Sequence, residues 1–388
     1  AADAADAAIN CCLGAGIQMS LSGENSINKY EKMFYSNTSN PEFILASIQT
    51  YGIYEDVSCN SHSEDKGGWG RFSIMQNQVD AYETADGHLP FLMDDDGCII
   101  YDSNGQPTVN PESNYSESGF THVDELWDGT SWQPCTNVYK DLNGAVVNDM
   151  GKYDLYNMYV NRDPRFYYDI LYNGVKWGNN KGVPHYFELW EYNTYDNSKS
   201  ADMMALFSQT YNPRCPYLIR KWWPETANKW ENDYNYYMPA IYIRVAQLYL
   251  DFAEAANEAY GPETKVPGTD MSAVDAINII RNRVGAVPVR NEYKANKEIF
   301  RERIRNERAV ELCFEDHRWY DIRRWRIAKD AVKVIYKAVI TRTGKDQFRF
   351  EYMEHPDYKR VFEDKHYWYP IPKSQMEMLN NVEQNPGW

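Results

Sequence analysis

The chain is poor in positive charge. Its 388 residues carry 40 Lys and Arg against 56 Asp and Glu, a formal net charge of -16. Phosphate binding needs a basic face, so this balance argues against nucleic acid as a partner. It suits a soluble, self-repelling surface. A disulfide framework is also lacking. Cys11, Cys12, Cys59, Cys98, Cys135, Cys215 and Cys313 are odd in number and irregularly spaced, and fit neither a ladder of bridges nor a zinc motif. Mostly free, packed thiols are expected. No apolar run approaches the roughly 18 residues that span a bilayer. The opening AADAADAAINCC has neither the basic segment nor the continuous apolar segment of an export signal. It reads as the interior of an Ala-rich helix.

Catalytic signatures are missing too. There is no Gly-x-Ser-x-Gly elbow, no His-Glu-x-x-His, no Walker loop and no dinucleotide fingerprint. A glycosidase needs two carboxylates across a bond. With 56 acidic residues such a pair can always be picked, so picking one carries no information. The expectation is a protein that is not an enzyme.

Aromatic side chains are plentiful, at 15%, and Tyr outnumbers Phe 32 to 14. Tyr tolerates partial exposure, which suggests wet aromatic surfaces that touch sugars or protein partners. The length supports a large core. One domain over residues 1–388 is expected, with a helical segment at 1–50, a loop-rich ligand-facing region at 51–235 and a C-terminal helical region and tail at 236–388.

The C-terminal region has helical periodicity. Val245, Leu248, Tyr249, Phe252, Ala253 and Ala256 recur at steps of three and four, and Gly261–Pro262 stops the run. Asp270 or Ser272 can cap the next helix, which ends at Gly285. Paired helices with small residues at their crossing point to tetratricopeptide-like units. A third helix is expected from Asn296 to Asp330. Its partial apolar stripe, Phe300, Ile304, Val310 and Phe314, faces a core, and Arg324 and Trp325 are expected to be largely buried. Phe43–Ile48 and residues 346–353 read as strands, and SQMEMLNN as a short last helix. The fold expected is mainly α, with a large irregular loop region and short strands.

Residues 301–326 hold eight Arg, but six Asp or Glu are interleaved. Arg303 with Glu307, and Arg308 with Glu311, have spacings that pair on a helix face. The helix therefore reads as structural support under a ligand surface. His317 has no second ligand at i+4, so no metal is assigned there. DDDG and DSNG resemble fragments of calcium loops but lack the alternating ligands and terminal Glu. Asp or Asn before Gly is more often a plain turn. No cofactor is expected. Should calcium bind, Asp94, Asp96 and Asp102 are the places to look.

Turn signals crowd residues 51–235: KGGWG, ADGHLP, WDGTSW, YNG. A sugar binder needs a flat aromatic platform with polar groups at its edge. Trp69 lies in a Gly-rich turn with Asp65 and Arg71 close by. Trp127 and Trp132 lie in DELWDGTSWQ with Asp128 and Gln133 beside them. Trp177 follows YNG. These eight are the candidate ligand-binding residues, with Trp69 and one of Trp127 or Trp132 expected on one exposed face.

Two segments carry a family likeness. RNERAVELCFEDHRWYDIRRW, Arg305–Trp325, resembles the ERRxELxFEGHRWxDLRRW helix of the SusD/RagB family. The closing YPIPKSQMEMLNNVEQNPGW resembles that family's YPIPxxExxxNxNxxQNPG. QNQVDAYETADG and NRDPRFYYDILYNGVKW match further family segments. The resemblance implies a lipid-anchored protein on the extracellular face of the outer membrane of Bacteroidota. Its implied work is to bind glycans and deliver them to a SusC-like TonB-dependent transporter. Such a member begins with a signal peptide, a lipid-bearing Cys and a long helical region, so the N-terminal part, with its lipid and some ligand aromatics, is expected to precede this chain. Peptide capture, as in RagB-like members, and a structural helical-repeat adaptor are the alternatives.

Overall fold

A computed structural model describes residues 1–19, 30, 33–34, 40–49, 73–94, 99–104, 106–116, 120–122, 125–127, 132–134, 138–140, 146–149, 154–159, 161–180, 183–198, 215–222, 238–344, 348–355, 358, 360–378 and 382–388. Helix α1, Ala2–Gly14, is followed by strand β1, Phe43–Gln49, and a short helix α2, Gln76–Asp80. Short strands come next: β2 (Phe120–His122), β3 (Glu125–Trp127), β4 (Trp132–Pro134), β5 (Val138–Lys140), β6 (Val146–Asp149) and β7 (Asp154–Tyr156). A single helical turn α3, Phe166–Asp169, leads to β8 (Ile170–Leu171), β9 (Lys176–Asn180), β10 (Val183–Tyr186), β11 (Tyr192–Asn193), β12 (Leu218–Ile219) and β13 (Met238–Arg244). Helices α4 (Val245–Tyr260), α5 (Ala273–Arg283), α6 (Lys297–Glu311), α7 (His317–Arg324) and α8 (Ala328–Ala331) form the helical region. Strands β14 (Tyr336–Arg342) and β15 (Phe348–Glu354) and helix α9 (Lys373–Met378) close the chain.

The helices start and stop where local chemistry directs. Ser272, not Asp270, caps α5: its hydroxyl accepts the Asp275 N–H while Asp275 accepts the Ser272 N–H, a reciprocal capping box. Asn296 caps α6 by accepting from the Ile299 N–H. Helix α4 packs against α1, α5 and α6. Ala253, Ala256, Ala273 and Ala276 are fully buried with Phe252, Ile280 and Phe300, so small residues bring the helix backbones close.

The expected single helix to Asp330 is broken. α6 stops at Glu311, and Phe314 and Asp316 adopt left-handed backbone, with φ of 60° and 64°, before α7 begins. The break ends α6 and starts α7 as a separate helix. Arg324 is 42% exposed and Trp325 only half-buried, so the expected burial of these two residues does not hold. Phe300, Ile304 and Val310 are buried as expected, and Phe314 is partly buried.

A second core holds the loop-rich region, and Tyr dominates it. Tyr30, Tyr82, Tyr159, Tyr168 and Tyr217 are fully buried. These five serve packing rather than the wet surfaces the composition suggests, while Tyr192, Tyr242, Tyr320 and Tyr369 are exposed. Buried hydroxyls need partners. Tyr82 donates to Asp169 at 2.7 Å, Tyr352 to Asp80 at 2.8 Å, Tyr167 to the Tyr159 carbonyl at 2.8 Å and Tyr159 to Tyr217 at 3.1 Å.

Antiparallel pairings organise the strands. β1 pairs with β13, β8 with β12, and β14 with β15, with β11 parallel on the other edge of β14. β3–β4, β5–β6 and β9–β10 are two-stranded ribbons. Met93, Ile99, Tyr101 and Pro107 form a narrow ladder of isolated bridges where DDDGCIIYDSNG suggests a strand between turns. Among the described residues Cys11, Cys12, Cys215 and Cys313 are free thiols; Cys59, Cys98 and Cys135 lie outside them.

Candidate ligand-binding site

Beneath the loop-rich region lies a buried ionic framework. Glu307, Glu311 and Glu315 follow one another at steps of four from α6 into the break and are all buried. The face they form meets cations from other elements. Glu311 accepts from Arg244 at 2.6 Å, from Arg165 at 3.1 Å and from Arg283. Arg244, at the end of β13, also reaches Glu42 and Glu315, both at 2.8 Å. Arg281 joins Glu307 to Glu83, and Arg165 joins Glu307 to Asp163. Lys221 donates to Glu315 at 2.9 Å.

Burial alone would raise the Glu311 carboxyl. The guanidinium groups of Arg283, Arg244 and Arg165 overcome that and hold it far below the usual carboxylate range. Glu315 is lowered by Arg244 and Lys221 against the same burial. Asp169 is the opposite case. Burial pushes it up to about 6, with Lys221 and the Tyr82 hydroxyl only partly offsetting the effect.

The helix-face pairs expected on α6 are not the ones made. Arg303 lies 3.5 Å from Glu83 rather than pairing with Glu307, and Arg308 reaches Asp321 and Asp251 rather than Glu311. A buried carboxylate gains more from several forked guanidinium groups of other elements than from one neighbour along its own helix. The arginine-rich segment is thus a structural clamp. It ties β1, β13, α5 and the 163–165 turn to α6.

A cavity of about 430 Å³ opens between α2, the Leu89–Met93 segment and α6–α7. Met75, Phe91 and Ile99 give it apolar walls, and Gln78, Arg318 and Trp319 add polar and aromatic groups. Trp319 is 44% exposed. Its indole N–H donates to the Tyr369 hydroxyl at 2.5 Å, and the Arg323 guanidinium lies over both rings, at 5.0 Å and 4.2 Å. Trp368, Tyr369 and Trp388 of the closing segment are exposed as well. The sequence reading assigns Trp319 to support. Its exposure follows from the left-handed break at Phe314 and Asp316, which helix periodicity does not reveal.

Of the candidate ligand residues, Trp69, Asp65, Arg71 and Asp128 lie outside the described residues. Trp127 and Trp132 are brought together as register partners across the β3–β4 ribbon. Gln133 pairs with Leu126 on the same ribbon. Trp177 lies in β9, on the separate β9–β10 ribbon. Of the calcium candidates, Asp96 lies outside the described residues and Asp94 is exposed. Asp102 accepts from the Asn104 and Gln106 N–H groups at 2.8 Å, closing a plain turn. Those bonds, the one from Gln106 foremost, lower its carboxyl.

Helical pairs carrying a large body of turns and short ribbons define a mainly α, tetratricopeptide-like scaffold. The chain belongs to the SusD family, whose model matches residues 23–388. SusD-like protein P25 of Formosa agariphila is 35% identical over 119 residues, 30% of this chain and 21% of that protein. Among solved structures, a SusD-like protein of Bacteroides fragilis is 22% identical with a TM-score of 0.64, over 99% of this chain and 62% of that one. A SusD-like carbohydrate binding protein of the same species is 20% identical with a TM-score of 0.52, over 85% and 50%. The chain therefore spans only 50% to 62% of the length of these two structures, and the likeness is one of fold.

Proposed function

We propose that this chain captures oligo- or polysaccharide at the cell surface without turning it over. It then passes the glycan to a SusC-like TonB-dependent transporter, from a protein held to the outer membrane by an N-terminal lipid. The observation that carries the glycan part is the register pairing of Trp127 with Trp132 on a narrow ribbon. Two tryptophans at facing register positions suit the flat C–H face of a sugar. Family membership supports the role, and a relative of the same fold is described as carbohydrate binding.

A binding role also agrees with the electrostatics. The described carboxyl pushed up to about 6, Asp169, is fully buried against Tyr82 and Lys221 and has no access to a substrate. The test is a panel of glycans and peptides against the full-length protein, followed by prolonged incubation with whatever binds. Glycan binding with unchanged chain length supports the proposal. Peptide-only binding, or release of reducing ends that is lost on changing one carboxylate, overturns it.

A further inference from the structure

We propose that His88, Glu112 and Glu292 form a binding site for a divalent transition-metal ion of the zinc class. The three residues come from separate segments: the Thr84–Leu89 turn, the Asn110–Ser113 turn and the single 3-10 turn Asn291–Lys294. His88 Nε2 stands 3.7 Å from Glu112 Oε2 and 3.6 Å from Glu292 Oε1, and the three atoms lie within 4.8 Å of one another. Nitrogen and oxygen ligands about 2.1 Å from a tetrahedral ion are about 3.4 Å apart. The two distances from Nε2 exceed that by a few tenths of an ångström. Glu112, 75% exposed, and Glu292, 43% exposed, have room to close the gap.

The histidine is built to ligate. His88 is 6% exposed, and its buried Nε2 has no hydrogen-bond partner among the described residues. Its other nitrogen, Nδ1, lies 2.9 Å from Asp86 Oδ2. A carboxylate there takes the Nδ1 proton as a hydrogen bond and leaves the Nε2 lone pair facing the two glutamates. That is the outer-shell arrangement that orients metal-binding imidazoles. Asp86 is itself fixed: Thr84 Oγ1 donates to it at 2.5 Å, and Arg290 donates to its main-chain carbonyl at 3.1 Å. Gly87 makes the turn possible. Its φ is +85°, and a Cβ there would stand 2.8 Å from Val287 Cγ2.

The donor set selects the ion. One imidazole and two carboxylates suit a borderline cation with positions left open to water. Calcium takes six to eight oxygens and has little use for imidazole. Arg290 Nε donates to the same Glu292 Oε1 at 2.5 Å, so an ion there shares that oxygen with the guanidinium or takes Oε2 instead.

The test uses the full chain stripped with chelator. Zinc ion is titrated by calorimetry, with calcium as control, and cobalt(II) is followed by its visible absorption. One equivalent of zinc, a raised melting temperature and a cobalt spectrum without a thiolate band are expected. Glu112→Gln and Glu292→Gln should each weaken zinc at least about tenfold, and Asp86→Asn about 10–100-fold. Glu112 is exposed, so its variant keeps the fold even if His88→Gln does not. Absence of the equivalent, or affinity unchanged in both glutamate variants, overturns the site. So does a thiolate band that disappears in a Cys11→Ser, Cys12→Ser background, or stabilisation by acid alone, which marks an imidazolium–carboxylate cluster.

Discussion

Arg244 and Glu311 meet at 2.6 Å across 67 residues, one closing β13 and the other closing α6. The same guanidinium reaches Glu42 and Glu315, so a single side chain joins the start of the loop-bearing region to the helical repeat. Every partner is buried, and the charges are compensated only as a set. Arg244→Met should therefore cost about 3–5 kcal/mol, because it leaves the buried Glu42, Glu311 and Glu315 one cation short, with only Arg165, Arg283 and Lys221 to compensate them. Urea unfolding of the variant measures this. A loss below about 1 kcal/mol would mean that water enters the network.

Asp169 gives a pH signature of the opposite sign to the glutamates. Its folded pKa, about 6, lies above the ordinary value of 3.8, so the folded state favours the neutral acid. Stability from this group is full at low pH and is lost as pH rises toward about 6. Asp169→Asn keeps an acceptor for the Tyr82 hydroxyl and removes the loss. The variant should match the parent near pH 4 and exceed it above pH 6, by at most about 3 kcal/mol. Melting temperatures across pH 4–8 decide it, and a variant weaker than the parent at pH 7.5 reverses the assignment.

Glu311 and Glu315, whose carboxyls are lowered, act the other way. Their contribution is present above the unfolded carboxylate range and is lost as pH falls through the folded values. Acid unfolding below about pH 4 should therefore be shallower in Glu311→Gln than in the parent, although the variant is weaker at neutral pH. Parallel acid titrations by circular dichroism check this, and equal slopes would remove Glu311 from the account.

The parts of this fold that depend on neighbouring residues are legible in the chain. Val245–Tyr260 announces itself by period and by Gly261, and the start of α5 is narrowed to Asp270 or Ser272, of which the structure takes Ser272. What spacing cannot show is the partner of a charge. Glu307 has an arginine four residues before it, yet it binds Arg165 and Arg281, 142 and 26 residues away. The break after Glu311 is equally silent, because Phe314 and Asp316 are non-glycine residues that adopt left-handed backbone, which no glycine or proline in the segment announces. His88 carries no signal of its own in the sequence for the same reason: Glu112 and Glu292 approach it only through the tertiary fold. The tryptophan reading rests on turn chemistry, and its expected partner for Trp127 or Trp132, Trp69, lies outside the described residues.

Trp325 offers a measured contrast with a core indole. Its N–H donates to Glu254 at 2.9 Å, and Arg324 grips the same carboxylate at 2.5 Å and 2.6 Å. The ring is half-buried, so Trp325→Ala should cost less than the about 3–5 kcal/mol of a fully buried ring. Glu254→Gln should cost less than Trp325→Ala, because its amide oxygen still accepts from the indole N–H while only the charge facing Arg324 is lost. Thermal melts of the two variants test the clamp, and a Trp325→Ala loss at the full core value would place the ring deeper than described.

The ligand surface is tested at the β3–β4 ribbon. Trp127 and Trp132 occupy facing register positions, so the pair serves either a sugar or the ribbon itself. Cross-strand aromatic pairs contribute roughly 0.2–1 kcal/mol to their own strands. Stacking on a ligand is worth about 1–3 kcal/mol per ring, by analogy with bases on aromatic platforms. If the pair is a sugar platform, Trp127→Ala and Trp132→Ala should each weaken glycan binding by about 5–150-fold and change the melting temperature little. Trp177→Ala, on its separate ribbon, is the comparison. Calorimetry on the three single variants separates the cases. Parent-like affinity in both ribbon variants would move glycan recognition away from β3–β4. Trp319 and Tyr369, exposed beside the cavity, are then the next positions to change.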